Sequence, residues 1–135
     1  MLTRSAQEFA DLIGQSEISV GWVFFDSRGG DLFEAMKVGD ILRKHQVTTY
    51  VARDSICYSA CVIAILGGVS RISVGEIGIH SFYSEEFLGS GRFEEASDWY
   101  NKVSRDVESY LRRMRVPVKL LDLMKATAHT SLHIL

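Results

Sequence analysis

One proline, Pro117, and two cysteines, Cys57 and Cys61, are all that 135 residues contain of either type, and no stretch approaches the roughly 20 apolar residues of a bilayer-spanning helix. The lone proline excludes a Pro-rich linker, and there is no internal repeat or low-complexity tract, so the simplest organisation is one domain over residues 1–135. Neither sign of charge dominates. Fifteen Lys and Arg against seventeen Asp and Glu leave a net charge of −2 and no basic field to gather phosphates, so nucleic acid is not an expected partner, nor is an anionic membrane surface. Two cysteines four apart, with no second Cys or His pair beside them, do not make a zinc site, and no metal or cofactor is expected. On one helical turn their Cα atoms would lie roughly 6 Å apart, near the outer limit for a disulfide, so two buried free thiols are expected.

What is present is an ordinary globular composition, 47% hydrophobic and 24% charged, with enough chain to bury a core. Met1 to Ile13, with Glu8 and Asp11, reads as an amphipathic helix and not as a secretory signal. The chain as given therefore reads as cytoplasmic, with export of a longer parent left open. Leu132 to Leu135, apolar except for His133, stops without a turn or polar tail and reads as the end of a fragment.

Ile18 to Asp26 is a nearly continuous apolar run, suited to a strand buried on both faces of a parallel sheet, and it ends in the turn Ser27-Arg28-Gly29-Gly30. From Asp31 the period becomes helical, with Leu32, Ala35, Met36, Gly39 and Leu42 on one face; a short strand, Val47 to Ala52, completes a βαβ unit. Ser55 to Leu66 is small and apolar and is expected as a buried helix closed by Gly67 and Gly68. Strands near Arg71 to Val74 and Ile77 to His80 follow, then a polar, glycine-containing loop over Ser84 to Arg92 that is expected to be mobile. Phe93 to Met114 carries apolar residues mostly three and four apart, the spacing of a long helix. A shorter helix, with Pro117 at its first position, is expected to run to about Ala126.

Three features could carry acyl-transfer chemistry: a Gly-Gly turn after a strand, a serine at the head of a small-residue segment, and a histidine at a strand end. Such chemistry needs a hydroxyl nucleophile, a base to take its proton, and backbone donors for the developing oxyanion. Ser59 is the candidate nucleophile, His80 the candidate base, and the N–H groups of Gly30 and Ala60 the candidate oxyanion donors. The bland alternatives are a capping or packing serine, a core histidine and an ordinary turn; Ser55 competes for the cap. His45, His129 and His133 lie in no motif.

Phe25-Asp26-Ser27-Arg28-Gly29-Gly30, then Cys57-Tyr58-Ser59-Ala60-Cys61, then Ile77-Gly78-Ile79-His80, resembles the ClpP-type serine peptidases of the ClpP/crotonase superfold. The resemblance is closest to bacterial ClpP-like proteins with a Cys-x-Ser-Ala-Cys nucleophile segment. It implies an α/β fold with a repeated β-β-α spiral core, a mainly parallel sheet and a long C-terminal helix. It also implies a homo-oligomer acting on a peptide or protein substrate, with Ser59, His80 and Gly30 in the roles above. Arg28 stands where that family usually has proline, which places a cation at the turn. The third triad member is unknown: the family's aspartate should fall near Thr127 to Leu135, which holds no carboxylate, and Asp122 lies several residues early in a helical pattern. Losing that partner can cost on the order of 10⁴-fold in turnover. Two other readings follow: an impaired homologue serving as a peptide-binding or assembly module, and a crotonase-type acyl-CoA enzyme, against which a helix-head serine argues.

Overall fold

The computed structural model describes residues 6–14 and 21–135. The chain divides into two compact units, Met1–Ile79 with Ile134–Leu135, and His80–His133.

The first unit is mixed α/β. After helix α1 (Ala6–Gly14) come β1 (Trp22–Phe24), α2 (Leu32–Lys44), β2 (Thr48–Val51), β3 (Ile56–Tyr58), α3 (Ala60–Ile65), β4 (Ser70–Ser73) and β5 (Glu76–Ile79). One three-stranded sheet has the order β1-β2-β4, with β2 parallel to both neighbours. The other runs β3-β5-β6, with β3 parallel to β5 and β6 being His133–Ile134. The two late strands expected from the sequence thus belong to different sheets.

Helix α2 starts where it does because the Asp31 carboxylate accepts the Glu34 N–H at 2.8 Å, and Glu34 early with Arg43 and Lys44 late suits the helix dipole. Its buried stripe is Ala35, Met36, Val38, Gly39 and Leu42. Gln46, at φ 52°, turns the chain back so that Val47 N–H reaches Leu42 O at 3.1 Å, and the chain enters β2 directly. Along β2 the burial alternates: Thr49 and Val51 point inward, and the Thr49 hydroxyl donates to Ile65 O at 2.8 Å, which satisfies this buried group. Where α2 meets the end of α3, a Cβ on Gly67 would collide with the backbone of Gly39, so this approach admits only glycine.

Two expectations for this unit need correcting. The apolar run ending at Asp26 is not buried on both faces. Trp22 and Phe24 are 52% and 65% exposed and stack on each other on the outer face, with Tyr50 tilted against Trp22 and edge-on to Phe24, while Phe25 turns inward; residues 18–20 of the run lie outside the described residues. Apolar continuity in sequence cannot tell a strand covered twice from one whose aromatics cover each other. Nor is Ser55 to Leu66 one helix. Its first part, with β-branched Ile56 and aromatic Tyr58, is β3, and only Ala60–Ile65 is helical.

The second unit is helical. Helix α4 (Phe93–Arg113) buries Val103, Ser104, Val107, Tyr110 and Leu111 on one stripe, with Ser104 Oγ satisfied by Tyr100 O at 2.7 Å. Its solvent side carries the pairs Lys102–Asp106 (3.1 Å) and Arg112–Glu108 (2.8 Å), worth only a few tenths of a kcal/mol each at such exposure, to order of magnitude. Arg115, at φ 57°, ends α4, and α5 (Lys119–Lys125) buries Leu121 and Met124. Pro117 is not the first helical residue as expected. It precedes the cap Val118, and its carbonyl accepts Leu120 N–H at 3.1 Å, so the ring sets the entry turn. Within the polar segment before α4, Arg92 lies over the Phe87 ring at 5.0 Å and pairs with Glu86 and Glu95, and Phe87 in turn meets Trp99.

Candidate active site

The strand-to-helix elbow between β3 and α3 is the chemically distinctive place in the first unit. Ser59 occupies the cap of α3 with φ 56° and ψ −123°, a backbone state that residues with a Cβ rarely hold, and its side chain makes no capping hydrogen bond. A serine held on a strained strand-to-helix turn keeps its hydroxyl free of the helix backbone. Ala60, as the first helical residue, has an N–H with no intrahelical partner.

Two neighbouring segments, β5 and the glycine turn, hold this elbow. Ser59 N–H donates to Gly78 O at 2.8 Å, tying the elbow to β5. Tyr58 N–H donates to Ser27 O at 3.0 Å and Ser27 N–H to Ile56 O at 2.9 Å, so the glycine turn runs beside β3; Asp26 Oδ1 also accepts the Ile56 N–H. At Gly29 (φ 114°) a Cβ would lie 2.9 Å from Tyr58 O, 3.0 Å from Ser59 Cβ and 3.3 Å from Ala60 N. The turn is therefore glycine because its backbone presses directly on the serine. Ser27 Oγ accepts the Gly29 N–H at 3.1 Å and fixes the turn. Gly30 follows at φ 155°.

The two cysteines are not free thiols. Cys57 and Cys61 form a disulfide with Cα atoms 5.3 Å apart. The helical-turn premise fails because Cys57 lies on β3 and only Cys61 on α3, so the bridge spans an elbow.

Tyr58 points to Glu76 on β5, and its phenol donates a hydrogen bond to that carboxylate. This bond, then desolvation and the Glu76 charge, raise the Tyr58 pKa above its ordinary value, while the Arg28 charge pulls the other way. The turn's cation thus acts on the residue before Ser59.

His80 opens the second unit. Its Nδ1 lies 2.7 Å from Ser81 O. A carbonyl can only accept, so in neutral imidazole Nδ1 carries the proton and Nε2 keeps the lone pair. Ser81 N–H donates to Thr127 O at 2.8 Å, anchoring this segment to the stretch after α5, and Tyr83 lies between His80 (6.4 Å between centroids) and His129 (4.7 Å).

The fold therefore brings Ser59, Ala60 and the glycine turn together in one unit, with Gly29 as the closest glycine, and places His80 at the start of the other. Asp122 is exposed on α5, and His45 and His133 are also exposed. Sequence reasoning missed Glu76 and the Ser81 carbonyl. The first carries no motif, and the second is backbone, which no residue pattern can report. Among the described residues no group of three His, Cys, Asp or Glu could hold a metal ion, and no helix is long and apolar enough to cross a membrane.

No family model matches the chain. Among solved structures, a ClpP1 mutant from Listeria monocytogenes aligns over 96% of this chain and 74% of its own, with a TM-score of 0.61 at 15% identity. The fold is ClpP-like. A serine–tRNA ligase of Desulforudis audaxviator is 35% identical over 69 residues; that stretch is 51% of this chain, and the chain spans only 16% of the ligase.

Proposed function

We propose that this chain is a ClpP-like serine hydrolase of peptide bonds, with Ser59 as nucleophile and His80 as base. The observation that carries the reading is the Ser59 backbone, held in a strained conformation at the head of α3 with its hydroxyl not spent on capping. His80 Nε2 takes the proton from Ser59 Oγ as Oγ attacks the substrate carbonyl. The N–H groups of Gly30 and Ala60 receive the oxyanion; protonated His80 gives its proton to the leaving amine, and water then hydrolyses the acyl-enzyme. The Ser81 carbonyl takes the orienting place of the missing aspartate by holding Nδ1–H. It fixes the tautomer but, being neutral, stabilises the imidazolium less than a carboxylate would, so turnover is slow. Both units fall within the aligned 96% of the chain, which supports reading them as one ClpP-like domain with the spiral core of that superfold. By the same analogy the chain assembles into a homo-oligomer, which light scattering at high concentration tests; a monomer there removes that part of the proposal.

The second reading is a peptide-binding or assembly module without turnover. It is favoured by the same contact at His80: a backbone carbonyl and no carboxylate at Nδ1.

Labelling with a fluorophosphonate probe, read by intact mass, separates the two. The hydrolase predicts stoichiometric labelling that is lost in Ser59→Ala and His80→Ala. A folded protein that takes no label under forcing conditions, yet binds peptide equally well with Ser59→Ala, overturns it in favour of the binding module.

A further inference from the structure

The disulfide closes a ring of five residues with Ser59 at its centre. Loop closure over so short a span removes little freedom from the unfolded chain, so global stabilisation is a poor account of it. Its consequences are local. Cys57 is anchored in β3 and Cys61 in α3; both side chains are fully buried, and between them the backbone must reverse through the unfavourable φ of Ser59. The other backbone ties on the elbow are single hydrogen bonds, Tyr58 N–H to Ser27 O at 3.0 Å, Ser59 N–H to Gly78 O at 2.8 Å and Val62 N–H to Ser59 O at 3.0 Å, and the Ser59 side chain adds no capping bond. Without a covalent link, the strand end and helix head could separate by the small amount that lets Ser59 return to negative φ and use its hydroxyl as an ordinary cap.

We propose that the Cys57–Cys61 disulfide is a positioning device that holds the Ser59 backbone in its strained state, and that the reactivity of the Ser59 hydroxyl depends on it. The claim about reactivity rests on the nucleophile reading above; the claim about the backbone does not. Both sulfurs are buried, so thiols reach the brace only slowly in the native protein, and it acts as a fixture, not a rapid switch.

The test compares the oxidised full chain with the Cys57→Ala/Cys61→Ala double variant by residue-resolved hydrogen exchange and by the rate and pH profile of fluorophosphonate labelling. The expected result is exchange at the Ser59 and Val62 amides faster by about tenfold or more, with the Thr49 and Tyr50 amides unchanged. Labelling should be about tenfold slower or worse at an unchanged pH midpoint, because the base is untouched while the nucleophile is displaced. Unchanged exchange at Ser59, or uniform acceleration throughout the first unit, overturns the proposal, as does an unaltered labelling rate in a variant whose elbow has loosened. A wild-type chain that takes no label but shows the local exchange change keeps the brace and removes the nucleophile reading.

Should the variant fail to fold, wild-type protein is treated with a dithiol. The dithiol's two thiols are oxidised to a cyclic disulfide while Cys57 and Cys61 each gain a hydrogen, seen by intact mass. Reoxidation must then restore exchange protection and labelling together. A chain that unfolds in both forms overturns the proposal, since the bond is then a global staple.

Discussion

Two strand-to-helix turns in the first unit solve the same problem in opposite ways. Between β1 and α2 the chain uses glycine where φ is positive, at Gly29 and Gly30, and caps the helix with its own Asp31 carboxylate. Between β3 and α3 a serine takes the positive φ, caps nothing with its side chain, and depends on Gly78, the glycine turn and a disulfide to stay in place. The first turn is stable by local chemistry. The second is imposed from outside, and backbone strain of that kind is retained where the surrounding structure over-determines it.

The largest effect that would break this contrast is at the point where the turns touch. Gly29→Ala puts a Cβ against Tyr58 O and Ser59 at a φ of 114° and should cost about 2–3 kcal/mol in denaturant unfolding, with loss of fluorophosphonate labelling. A variant with wild-type stability and labelling would mean that the turn does not press on the elbow. Next comes strain at the serine. Ser59→Gly should be more stable than Ser59→Ala by about 1 kcal/mol, since only glycine relaxes at that φ; equal stability would show that the elbow is unstrained.

At the other turn, Asp31→Ala should lose about 1 kcal/mol of stability and leave labelling intact, because that cap serves only α2. The smallest effect concerns Tyr58. Its raised pKa favours the neutral phenol in the folded chain, so that contribution is complete below the ordinary phenol value near 10 and is lost as pH rises through the higher folded value. Glu76→Gln should move the Tyr58 phenolate transition in the ultraviolet back down and remove the same small contribution to stability at neutral pH, where it is complete. An unmoved transition would separate Tyr58 from Glu76.

Much of the fold is legible in the residues. The stripe from Leu32 to Leu42 with Asp31 ahead of it, and the spacing from Phe93 to Met114, are helical patterns of neighbours three and four apart, and α2 and α4 are where those patterns run. The parallel pairing of β1 with β2 follows from a strand, helix, strand order. Other parts are not legible. Ile56 to Ile65 is apolar throughout, and a strand breaking into a helix at Ser59 leaves no period to detect. The exposed faces of Trp22 and Phe24 depend on which side of the sheet is covered, which their own sequence does not encode.

The candidate site divides along the same line. Ser59, Ala60, the glycine turn and His80 could be picked out because hydroxyl, imidazole and glycine have recognisable uses in a fixed order. The φ of Ser59, the pairing of Cys57 with Cys61 across an elbow, the phenol of Tyr58 on Glu76 and the Ser81 carbonyl at His80 could not. Local periodicity and capping chemistry act over three or four residues and are written in order along the chain. The state of Ser59 is set by Gly29 and Gly78, thirty residues before it and nineteen after it. Contacts of that range exist only once the strands have paired.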